Sequence, residues 1–199
     1  MKDHSPSQLL LDWANAIEAV GNQIDTAKSK KMKTTMYLLV RALRMGLIAF
    51  YSPIACGYWK TKKIKLKKGD EWQFEADILD EDFDQYQSQI SRMLSLQVMG
   101  IIEGHFRNSK NTGVGIAKIL EDKFTTIPPA IDVIRLLKNG FHNRGIHNWK
   151  NSIKHTIAGY DFEFVKGKAT KHFHLFALLK VVEQVALEIA NKKSAKALP

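Results

Sequence analysis

Residues 135–148 read RLLKNGFHNRGIHN, and the length of the helix that opens this stretch decides both the fold and the candidate site. On a helix advancing about 100° per residue, Arg135, Asn139 and His142 fall within about 60° of one another, with Lys138 at the edge of that arc. Val133, Ile134, Leu137 and Phe141 occupy a separate arc. The spacing predicts an amphipathic helix that buries one stripe and presents Arg135 and His142 together on a polar face. A competing reading ends the helix at Asn139-Gly140 through a left-handed glycine cap, which leaves His142 in a connecting loop.

Working outward, Pro129 suits the first turn of this helix and Asp132 complements its dipole. Downstream, between residues 152 and 168, the period becomes two. Ile153, His155 and Ile157 precede Ala158-Gly159, and Tyr160, Phe162 and Phe164 then alternate with Asp161, Glu163 and Val165, so a small β-hairpin is expected. A final helix over 171–192 carries Phe173, Phe176, Leu179, Val182, Val185, Ala186 and Ile189 at core spacing.

Upstream the pattern is helical as well. Ser7 is placed to cap a first helix carrying Leu10, Trp13, Ala14, Ile17 and Val20. A second, over 35–50, is apolar on most faces except for Arg41 and Arg44, and is expected to be the central element of the bundle. The uncharged run 45–59 falls short of the roughly 20 residues that span a bilayer, so it reads as a buried core helix interrupted at Pro53. A third helix over 83–102 carries Ile90, Met93, Leu94, Val98 and Ile101 on one stripe; residues 104–115 read as an exposed loop, and a short helix follows over 116–124. The expected architecture is mainly α, one helical bundle over residues 1–199 with a small β-hairpin before the C-terminal helix.

With 199 residues and 45% hydrophobic content, the chain is long enough for one domain with a real core. Its formal net charge of +10 favours an anionic partner, with nucleic acid ahead of a membrane surface. Lys60, Lys62, Lys63, Lys65, Lys67 and Lys68 form a basic run between Trp59 and Trp72. It reads either as a lysine-protected edge strand or as a phosphate-tracking strip beside aromatic residues. Cys56 is the single cysteine, which excludes an intramolecular disulfide and agrees with a reducing compartment. The N-terminal MKDHSPSQLLLDW lacks the apolar run of a signal peptide, so the expected location is the cytoplasm, with no membrane segment.

The polar residues of 135–148 suit phosphodiester chemistry. A histidine near its ordinary pKa of about 6.5 exchanges protons at neutral pH, and an arginine gives fixed, bidentate donors to phosphate oxygens. His142 is therefore the acid/base candidate and Arg135 the phosphate stabiliser. Asn139 and Asn143 are placed to orient the imidazole, and Lys138, Arg144 and His147 to supply further contacts. His172 and His174 add imidazoles without any recognised metal-ligand spacing, and residues 113–115 lack the G-K-[ST] of a phosphate-binding loop. No metal and no cofactor is expected.

Arg135 followed by His142 fits an R-x(4–6)-H spacing. Together with KNGFHNRGIHN, a hairpin ending FEFVKGKA and a long last helix, it resembles the C-terminal half of HEPN-like bacterial proteins that carry an RN-x-x-HNNG segment. Asn139, His142 and Asn143 match that segment; Lys138 stands in place of its arginine and Arg144 in place of an asparagine. By motif the resemblance covers roughly 131–191. It implies a HEPN-like helical bundle and a metal-independent RNA endonuclease acting as a homodimer in defence or as a toxin, with a cognate antitoxin or other partner protein. Lys138 favours the alternative within the same family, a non-catalytic module that binds RNA, a nucleotide or a protein.

Overall fold

The computed structural model describes residues 6–55, 63–65, 71–73, 76–108, 111–143, 146–147, 151–169 and 174–191. Cys56, Tyr58, Trp59, Lys60, Lys62, Lys67, Lys68, Arg144 and His172, singled out above, lie outside these residues.

Among the described residues six helices carry the fold. Helix α1 (Pro6–Asp25) lies against α2 (Lys30–Ala55). Trp13, Ala16 and Val20 are fully buried at three- and four-residue spacing, while Ala14 is exposed, so Ala16 takes the place expected of Ala14 in the stripe. The Trp13 indole N–H donates to the Leu43 carbonyl at 2.8 Å, tying α1 to the middle of α2. Helix α2 continues through Pro53 rather than stopping there. Proline has no N–H to give the Ala49 carbonyl one turn earlier. The Tyr86 hydroxyl donates to that carbonyl instead, which satisfies the group that proline orphans.

After the two-stranded ribbon β1 (Lys63–Lys65) and β2 (Glu71–Gln73), α3 (Ala76–Phe106) runs back along α2. Within the basic run, Lys63–Lys65 form a strand, as the edge-strand reading expects, paired with Glu71–Gln73 in antiparallel register. Helix α3 extends four residues beyond Ile102 and takes up the beginning of the expected loop. The short α4 (Ile116–Lys123) follows, and then α5 (Pro129–His142).

The hairpin of β3 (Ile153–Ile157) and β4 (Tyr160–Phe164) pairs Ile157 with Tyr160 across a two-residue turn. Ala158 (φ 50°) and Gly159 (φ 82°) both take the left-handed conformations that such a turn requires. Inward-facing Ile157, Phe162 and Phe164 are buried against the bundle.

Helix α6 (Leu175–Asn191) is the central element: it packs on α1, α2, α3, α5 and β3, and nine of its residues, from Leu175 to Ile189, are buried. This corrects the expectation for α2. Helix α2 buries Met32, Met36, Leu39, Leu43 and Phe50 but leaves Tyr37, Leu38, Met45, Ile48 and Tyr51 in solvent, together with both arginines. Apolar content alone does not distinguish a buried face from an uncovered one. Among the described residues no helix is long and apolar enough to cross a membrane.

Candidate functional site

Helix α5 runs without interruption to His142, and the Asn143 N–H donates to the carbonyls of Asn139 (3.0 Å) and Gly140 (3.2 Å). The glycine does not cap the helix. The projection that places Arg135 and His142 on one side therefore holds, but the environment changes along that side. All residues from Ala130 to Leu137 are buried, whereas His142 and Asn143 are exposed.

Arg135 is 3% exposed and turned into the fold. Its Nε and Nη2 donate to Asp132 Oδ1 at 2.7 and 2.5 Å. The other carboxylate oxygen, Oδ2, meets His155 Nε2 at 2.8 Å. His155 reaches it because the two-residue period of β3 points its side chain inward along with Ile153 and Ile157. Burial works to raise the Asp132 pKa, but its hydrogen bond to His155 and the adjacent Arg135 charge outweigh it and hold the carboxyl below its ordinary value.

One turn earlier, the α5 N–H groups of Ala130 and Ile131 each donate to the Glu188 carboxylate of α6 at 3.0 Å. Pro128, at the N-cap position, supplies no side-chain acceptor, so the cap comes from a residue far along the chain. Burial raises the Glu188 pKa, and those two backbone bonds offset part of the rise. Asp132, Arg135 and His155 thus form a largely buried, hydrogen-bonded network beneath the hairpin, beside an α5 start capped by Glu188. Such a network fixes the hairpin to α5 and leaves the guanidinium committed to a carboxylate rather than presented to a phosphate.

The remaining candidates separate. Lys138 pairs with Glu103 of α3, which also lies 3.9 Å from Arg107. Asn139 is half-buried. His147 is buried beyond the end of α5, its ring 5.7 Å from that of Phe164 and its Nε2 3.3 Å from the Asn151 carbonyl. The structure brings Arg135 to Asp132 and His155, and not to His142, which lies two turns or about 10 Å further along the axis. Among the described residues an arginine it does bring to the end of α5 is Arg92, whose guanidinium stands 5.3 Å from the centroid of Phe141. Sequence spacing carries no signal for that contact, since it joins separate helices. Asp132 and His155 were each legible, one as a first-turn acid and one as an inward strand residue, but nothing local joins them.

A second feature lies between α2 and α3, a groove of about 920 Å3 lined by Leu38, Ala42, Met45 and Ile101 and flanked by Lys30, Lys31 and Arg41. At its end the Thr35 hydroxyl donates to the Lys31 carbonyl at 2.9 Å and contacts His105 Nδ1 at 2.8 Å. Comparison with protein-family models, curated proteins and solved structures finds no match to this chain. The site is therefore read from its own geometry. Among the described residues no three His, Cys, Asp or Glu side chains gather as metal ligands would.

Proposed function

We propose that this chain is a non-catalytic module of HEPN-like architecture that works by binding an anionic partner. The observation that carries the reading is the commitment of Arg135. A metal-independent ribonuclease needs a cation at the phosphate beside its acid/base histidine, and here the candidate cation is buried against Asp132. Charge supports the binding half of the reading, with a net +10 and α2 carrying five basic residues and no acidic one.

One observation favours the ribonuclease reading instead: His142 and Asn143 are exposed side by side, with Arg92 over the neighbouring Phe141 ring. The two readings give opposite results with 5′-labelled single-stranded RNA in EDTA. The binding module leaves the RNA intact over hours. Cleavage to 2′,3′-cyclic phosphate ends that is lost in both His142→Ala and Arg92→Ala would overturn it and assign the chemistry to the end of α5.

A further inference from the structure

Along α2, Thr34, Leu38, Arg41 and Met45 fall within about 60° of one another and form one wall of the groove. Gln97, Gly100, Ile101, Gly104 and His105 of α3 form the other. From Lys30 to Met45 the groove is about 22 Å long, the length of a helix of roughly 15 residues. We propose that it is the docking site for an acidic amphipathic helix of a partner protein.

Three observations specify that occupant. The first is the aliphatic lining: Met45 is 52% exposed and Leu38 42% exposed, and these side chains suit the leucine or isoleucine anchors of a helix laid lengthwise. RNA would call for an aromatic stacking platform, which aliphatic side chains do not provide. The second is charge complementarity. Lys30, Lys31 and Arg41 line the groove, and among the described residues no Asp or Glu lines it and no carboxylate forms an ion pair with Lys30, Lys31 or Arg41. Lys31 Nζ instead donates to the Arg107 carbonyl at 3.0 Å, which positions its charge across the groove without neutralising it.

The third is backbone access. Gly100, in the interior of α3, and Gly104, in its last turn, are exposed, and among the described residues a Cβ at either would meet nothing within 4 Å. Glycine is a poor helix former, and the described residues give no steric reason for either one. A third helix laid in the groove gives that reason, since two glycines one turn apart let its axis approach closely.

The proposal deepens the binding-module reading and rests on it, and its test involves no RNA cleavage, so either can fail alone. The probe is a fluorescein-labelled helical peptide of about 15 residues, with leucines along one face and glutamates along the other, titrated with the full chain by fluorescence anisotropy. Saturable binding that weakens with salt is expected, and the same peptide with lysine in place of glutamate should not bind. Gly104→Leu, which fills the groove, and Arg41→Glu, which reverses its charge, should each lower affinity at least about tenfold. Gly100→Ala and Gly104→Ala, by contrast, should each raise Tm by about 2–4 °C through helix propensity. The absence of saturable binding up to about 1 mM peptide overturns the proposal. So does peptide binding that is indifferent to Gly104→Leu and Arg41→Glu. Single-stranded RNA or phosphatidylserine vesicles whose binding Gly104→Leu abolishes would also overturn it and assign the groove to that ligand.

Discussion

Asp132→Ala should lower the unfolding free energy by about 3–5 kcal/mol, the cost of leaving a buried cation without its counter-ion. The variant strands two partners at once. Arg135 loses the acceptor for its Nε and Nη2 donors, and His155 loses the contact that ties the hairpin to α5. Asp132→Ala/Arg135→Met, which removes the charge from both positions, should recover most of the loss, because an apolar pair of similar volume is often as stable as a buried ion pair. Urea unfolding of the three proteins at pH 7, with m unchanged, measures both effects. A cost below about 1 kcal/mol for Asp132→Ala would place the pair among weak surface-type bridges. It would then free Arg135 for phosphate and weaken the binding-module reading.

The same carboxylate sets an acid limit. Because the folded state holds the Asp132 pKa below the ordinary 3.8, folding favours its ionised form. That contribution is present above the ordinary value and is lost as pH falls through the lower folded value. Glu188 has the opposite sign. Its raised pKa means that its contribution is fully present below the ordinary 4.5 and diminishes as pH rises through the folded value. Between pH 5 and pH 3, Asp132→Asn should therefore lose less stability than the parent, while Glu188→Gln should lose more. A parallel acid slope in all three proteins would remove both carboxylates from the account.

Most helices were legible because their periodicity is set by burial on one side. Helix α5 shows where that logic stops. Its apolar arc predicted one buried stripe, yet the polar arc is buried too over its first two turns, since β3 and α6 close over it. A buried arginine with its own aspartate three residues earlier has the same sequence pattern as an exposed arginine awaiting a phosphate. What separates them is the inward His155, twenty residues away, and the hairpin that brings it in. The groove was hidden for a related reason. An uncovered apolar face and a buried one share the same spacing, so α2 read as a central helix until α6 was seen to occupy that place.

Trp13→Ala is the other large expected loss, about 3–5 kcal/mol, for a side chain with no exposed surface. The indole fills the space between α1 and α2, where its ring lies 5.6 Å from Phe50 and its N–H holds the Leu43 carbonyl. It also explains Gly46. A Cβ there would stand 2.8 Å from Trp13 Cζ2, inside the contact distance that real side chains allow, and a rigid ring wedged against Phe50 has little room to yield. Gly46→Ala should therefore cost about 1–3 kcal/mol, although alanine is the better helix former by about 1 kcal/mol. The two sites are coupled: in Trp13→Ala the space beside Gly46 opens, so adding Gly46→Ala there should be neutral or stabilising. Additive losses in the double variant would show that Gly46 answers to something other than the indole. Coupling would fix α1 as the clamp on the inner face of α2, which is what leaves the outer face, with Leu38, Arg41 and Met45, rigid and uncovered along the groove.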